Sequence, residues 1–114
     1  MLVDHDILID AGTGVGELSL DELVRIDHVF ITHSHLDHIA ALPLLIDTVA
    51  DRREGPVIVH ATEATLELLK SHVFNWAIWP DFSEIAIRAD AVMQYRTIEV
   101  GQQICLGGRT ITAV

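Results

Sequence analysis

Cysteine occurs once in these 114 residues, at Cys105. No intramolecular disulfide and no cysteine-only zinc site can be built from it. Lysine is also single, Lys70, and the 7 basic residues face 17 acidic ones, a formal charge of −10. That balance excludes a surface made to grip duplex DNA or an anionic membrane, because such partners need cations for their phosphates. Long apolar runs are missing too. The longest, Ile39 to Ile46, is eight residues, where a membrane-spanning helix needs roughly 20. Met1 to Asp10 carries acids and no basic segment, so no secretory signal is legible and a cytoplasmic location is expected. No repeat and no linker rich in Gly, Ser or Pro divides the chain, so residues 1–114 read as one unit. Half the residues are apolar and the mean hydropathy is +0.37, enough for a small core and too much for a disordered tail.

Histidine, by contrast, is plentiful: seven occur, and three of them fall between positions 33 and 38. Their setting follows from the pattern of elements. Asp6 to Asp10 (DILID) is a short apolar run fit for a buried strand, and Ala11 to Gly16 (AGTGVG) breaks it. Ser19 and Glu22 form a Ser-x-x-Glu capping box that opens a helix to about Ile26. Val29 to Thr32 is β-branched and apolar, a second buried strand. Ile39 to Arg53 reads as one helix, with Pro43 tolerable in its first turn. Val57 to Val59 predicts a third strand, and Thr62 caps a helix to about Val73. The aromatic stretch Phe74 to Phe82, with Pro80, reads as irregular. Strands follow at Val92–Val100, Gln103–Leu106 and Arg109–Val114, the last two joined by a Gly107-Gly108 turn. Cys105 is expected to be a small buried hydrophobe in such a strand. Strands alternating with helices predict an α/β layer with parallel neighbours.

The segment His33-Ser34-His35-Leu36-Asp37-His38 therefore lies at the carboxyl end of a strand, where open α/β sheets place their sites. Imidazole nitrogen and carboxylate oxygen suit Zn²⁺, and also manganese or iron. His33 and His35 are two apart and project to the same side of an extended strand end. Asp37 and His38 follow at a helix start. Two pairs of ligands imply two divalent metals, an arrangement that polarises a phosphoryl or carbonyl oxygen and delivers hydroxide. A single histidine is usually a hydrogen-bonded surface residue; this spacing after an apolar strand asks for more. Asp10 could simply cap a loop, but a carboxylate there is expected to hold the histidine loop by hydrogen bonds. His72 ends a helix, where a protonated imidazole suits the dipole; that capping role is weighed above a place on the substrate side. Trp76 and Trp79 could stack on a base or pack beneath a loop. His5, His28 and His60 show no partner pattern and are read as structural.

Asp10-Ala11-Gly12 with His33-x-His35-x-Asp37-His38 resembles the first two motifs of the metallo-β-lactamase superfamily. Ile9–Leu18 (IDAGTGVGEL), Thr32–Asp47 (THSHLDHIAALPLLID) and Ser71–Phe82 (SHVFNWAIWPDF) are similar to class II 3′,5′-cyclic-nucleotide phosphodiesterases. The resemblance implies an α/β chain forming half of an αβ/βα sandwich. It implies that His33 and His35 bind the first of two metal ions, zinc foremost. Asp37 and His38 would bind the second, with Asp37 also orienting the attacking water. A cyclic nucleotide, cyclic AMP above all, would be the substrate.

The superfamily's later ligands have no counterpart here, since no histidine follows His72 and the last predicted strand runs into Val114. The chain is thus expected to be the amino-terminal half of a catalytic domain. By itself it should be weakly active or inactive, and prone to homo-oligomerise through an uncovered sheet face. Two other enzymes of the same superfamily are alternatives: a nuclease like those that trim tRNA 3′ ends, which the acidic balance disfavours, and a thiolesterase. A non-catalytic, metal-binding and self-associating fragment is the reading outside catalysis.

Overall fold

The computed structural model describes residues 1–87 and 90–114. Its centre is a five-stranded sheet in the order β1 (Leu2–Val3), β2 (Ile7–Ile9), β3 (His28–Phe30), β4 (Val57–Ala61), β7 (Met93–Thr97). β1 pairs antiparallel with β2, and every other neighbour is parallel. The helices α1 (Leu20–Val24), α2 (Leu36–Ile39), α3 (Leu42–Val49) and α4 (Glu63–His72) link these strands. Two short hairpins complete the chain, β5 (Ala86–Ile87) with β6 (Asp90–Ala91) and β8 (Gln103–Leu106) with β9 (Arg109–Thr112). The mixed α/β class with a parallel sheet is the expected one. Among the described residues no helix is long and apolar enough to cross a membrane.

Local chemistry accounts for the boundaries. The Ser19 hydroxyl accepts from Glu22 N–H at 3.2 Å while Ser19 N–H donates to the Glu22 carboxylate at 2.9 Å, so both halves of the capping box form. Thr62 caps α4 through Thr65 N–H. The helix expected over 39–53 is instead two, broken at Ala40–Ala41. The Ala41 amide turns away to donate to the Ala11 carbonyl at 2.8 Å. Pro43, in the first turn of α3, has no amide to give and its ring disfavours helix on its amino-terminal side. β1, β5 and β6 are two residues each, too short to leave a periodic signal.

Strand alternation divides the core in two. Leu8, Val29, Val59 and Met93 face the helices and pack with Leu42, Leu45, Ile46 and Leu69. Ile7, Phe30 and Ile98 face the other way, and the β8–β9 hairpin lays Ile104, Leu106 and Ile111 against them. So the second sheet face, expected bare, is partly covered by the chain itself. Cys105 points out of that hairpin and is exposed rather than buried, because a two-stranded ribbon with one covered face must present alternate residues to water.

Arg109 fastens the hairpin. Its guanidinium donates to both Asp6 oxygens, at 2.5 and 2.7 Å, and to Asp4 at 3.1 Å. Its hydrogen bond to Asp6 holds that carboxyl below the ordinary 3.8. The stabilisation is thus complete above that value and lost as pH falls through the lowered one. Arg109→Ala should leave the parallel sheet intact and speed amide hydrogen exchange across β8 and β9, which NMR exchange measurements would register.

His28 and His60, read from sequence as unrelated, are neighbours on this second face. Their rings meet at 3.0 Å, Nδ1 to Nε2, and His60 stacks on Phe30 at 4.2 Å. Burial, with His28 and Arg96 nearby, depresses the His60 pKa from 6.5 to about 4. The unfolded chain then binds more protons than the folded one between those values, so stability is full above the upper one and declines as pH falls toward the lower. Urea midpoints measured from pH 7 to 4 should fall over this window, and His60→Phe should flatten the slope.

Candidate metal centre

The site is built where β2 and β3 end. Asp10 leaves β2 with φ 60°, a left-handed conformation that an aspartate tolerates better than most residues. Its amide donates to the Phe30 carbonyl at 2.8 Å, which fixes it beside the end of β3. Its carboxylate then collects three donors: Thr32 N–H to Oδ1 at 2.7 Å, Thr32 Oγ1–H to Oδ2 at 2.6 Å and His38 Nδ1 to Oδ2 at 2.7 Å. Burial pushes the Asp10 carboxyl up, but the bonds from Thr32 and His38 outweigh it and hold the pKa below 3.8.

The histidine segment curls around this anchor. His33 Nδ1 lies 2.9 Å from Thr32 Oγ1. The rings of His33 and His38 stack with centroids 4.0 Å apart, and His35 meets His33 edge-on at 5.5 Å. Asp37 Oδ2 is 3.3 Å from His38 Nε2. His33, His35 and Asp37 are exposed and His38 half-buried. Three imidazoles and a carboxylate thus share one rim, with Asp10 beneath them.

Gly12 makes the close packing possible. A Cβ on Gly12 would fall 2.1 Å from the Asp37 carbonyl oxygen. Just before it, Ala11 clips the backbone to the end of α2 and the start of α3: Ala11 N–H donates to the His38 carbonyl and the Ala11 carbonyl accepts from Ala41 N–H, each at 2.8 Å. A cleft of about 430 Å³ opens here, lined by Asp10, Gly12, Thr13, Val15 and Asp37 together with Met1.

The donor set has the chemistry of a site for a divalent transition metal. His33, His35, Asp37 and His38 form an open rim rather than a closed cage. Among the described residues no three His, Cys, Asp or Glu side chains are gathered as a ready metal-holding group. His72 is not brought to the rim. It ends α4, which leaves the carboxyl end of β4, and the loop after it reaches Phe82, whose carbonyl accepts from Met93 N–H at the start of β7. Trp76 and Trp79 belong to that distant loop. Trp79 packs against the helix-side core, whereas Trp76 is exposed with φ 69°. Thr32 is the contributor that sequence reasoning passed over, since a threonine beside a histidine carries no spacing signal.

The largely parallel sheet thus carries this histidine rim at its strand ends. Residues 5–114 match the family model described as the β-lactamase superfamily domain, and the chain belongs to that family. It is 28% identical over 88 residues to a probable 3′,5′-cyclic-nucleotide phosphodiesterase of Yersinia pestis, covering 76% of this chain and 24% of that protein. It is 31% identical over 109 residues to a ribonuclease Z of Bradyrhizobium diazoefficiens, covering 92% of this chain and 34% of the relative. The chain therefore spans between a quarter and a third of the length of these relatives. The fold is also that of unliganded yeast PDE1, with a TM-score of 0.66 at 23% identity over 76% of this chain and 23% of that one.

Gly12→Ala should force the segment 36–38 away from Asp10. We expect a loss of roughly 1–3 kcal/mol, visible as a thermal midpoint lower by several degrees.

Proposed function

We propose that this chain supplies the metal-gripping part of a phosphodiester hydrolase whose substrate is a 3′,5′-cyclic nucleotide, cyclic AMP foremost. The observation that carries the reading is the rim itself. His38 is held at Nδ1 by Asp10, which leaves its Nε2 turned toward Asp37. His33 and His35 would hold one divalent ion, and Asp37 and His38 a second, with zinc best matched to the donors and manganese or iron also suited. Bound there, the metals would supply positive charge that polarises a phosphoryl oxygen and acidifies water.

The chain's own residues do the remaining work. Asp37 would orient the water for in-line attack at phosphorus. The P–O3′ bond breaks, and a proton passes to the 3′ oxygen to give the 5′-nucleotide. Asp10 keeps the imidazoles in place by accepting hydrogen bonds, a role that in metal sites matters nearly as much as the ligands. The cleft beside Asp37 is of a size that suits a nucleotide-sized ligand. A charge of −10 is compatible with a small anionic substrate, because metals provide the positive field locally.

Cleavage of RNA is a second reading, favoured by the similarity to ribonuclease Z over 92% of the chain. Only seven basic side chains argue against a long RNA track in this part of the molecule.

Isothermal titration with Zn²⁺ or Mn²⁺ should give saturable binding. Asp37→Ala should remove one metal equivalent, and the matching change in a full-length homologue should lower turnover on the order of 100-fold or more. Turnover of cyclic AMP, a precursor tRNA and a thioester, compared under one metal condition in a full-length homologue with the same histidine rim, tests the substrate class. Cyclic AMP should be preferred; cleavage of the tRNA alone would overturn the phosphodiesterase reading.

A further inference from the structure

The hydrogen bonds around Asp10 admit one arrangement of protons. A carboxylate can only accept. Asp10 Oδ2 receives both His38 Nδ1, at 2.7 Å, and Thr32 Oγ1, at 2.6 Å, so each must bring a hydrogen. The Thr32 hydroxyl has a single hydrogen, and it points at Asp10. Toward His33 Nδ1, 2.9 Å away, the same oxygen can therefore offer only a lone pair. His33 Nδ1 must then carry a hydrogen, which in the neutral ring leaves the lone pair on Nε2. Thr32 N–H, bonded to the other Asp10 oxygen at 2.7 Å, locks the residue in the pose that makes this possible.

We propose that Thr32 is a positioning residue that transmits the charge of Asp10 to His33 and sets its tautomer. One half-buried carboxylate thereby orients two imidazoles, His38 directly and His33 through a hydroxyl, and leaves the neutral His33 ring with Nε2 bare. The purpose assigned to this device rests on the proposed metal role of the rim, but the proton arrangement does not. His35 has no such tie among the hydrogen bonds of the described residues and is free to take either tautomer.

Imidazole ¹⁵N spectra of the metal-free chain, recorded well above the ordinary histidine pKa of about 6.5, read the tautomer directly. His33 should show a pyrrole-like Nδ1 and a pyridine-like Nε2. Thr32→Val preserves shape and removes the hydroxyl; it should let His33 revert toward the Nε2–H form that unrestrained rings prefer, with His38 unchanged. Thr32→Ser should restore the starting pattern. In a parallel Zn²⁺ titration, Thr32→Val should bind about 10- to 100-fold more weakly, with Thr32→Ser close to the unaltered chain. An Nε2–H tautomer of His33 in the unaltered chain would overturn the proposal even if Thr32→Val failed to fold. So would a Thr32→Val spectrum and affinity indistinguishable from the original. Correct tautomers in a chain that takes up no Zn²⁺ would leave Thr32 its role and sink the metal reading instead.

Discussion

The carboxylate of Asp10 is the point on which the site turns. It sits where β2 ends and binds, within 2.7 Å, the backbone and hydroxyl of Thr32 at the end of β3 and the ring of His38 on α2. Two stretches more than twenty residues apart in sequence meet on one anion. Burial alone would drive that carboxyl toward neutrality; the donors facing it reverse the shift and keep it charged. A charged acceptor in turn orders the donors, so the histidine rim is rigid beneath and open above. Such an arrangement suits ligands that must be aimed before anything binds.

The sheet explains why the anchor can exist. Parallel pairing of β2 with β3 and of β3 with β4 puts the strand ends side by side, and the loops after them emerge on one edge. The short crossovers through α1 and through α2 and α3 keep the helices on one face, where they bury Leu42, Leu45 and Ile46 against Val29 and Val59. On the other face the terminal hairpin, tied down by Arg109, gives Ile7 and Phe30 a partial cover. The His28–His60 pair lies within this second layer. Its burial depresses the His60 pKa to about 4.

Much of this was legible from local chemistry. Ser19 with Glu22, Thr62 before a helix, and Gly107-Gly108 between strands announce their elements because capping and turn formation need only near neighbours. The four candidate ligands were legible for a related reason: they crowd into six consecutive positions. What escaped were features made by distant partners. The break at Ala40–Ala41 depends on the Ala11 carbonyl about thirty residues away, which periodicity cannot anticipate. Cys105 looked like core by alternation alone, and its exposure follows from which side of the hairpin meets the sheet.

The amino-acid order by itself determined the donor types, their spacing and the strand-then-helix setting, since these follow from residue chemistry and short-range backbone preference. It also determined the acidic balance, and with it the need for any positive field to come from outside the chain. Folding alone decided that Thr32 and His38 share the Asp10 carboxylate, and why Gly12 must lack a side chain. Those outcomes depend on hydrogen bonds and close contacts between segments that become neighbours only when parallel strands pair, and no local pattern encodes that pairing.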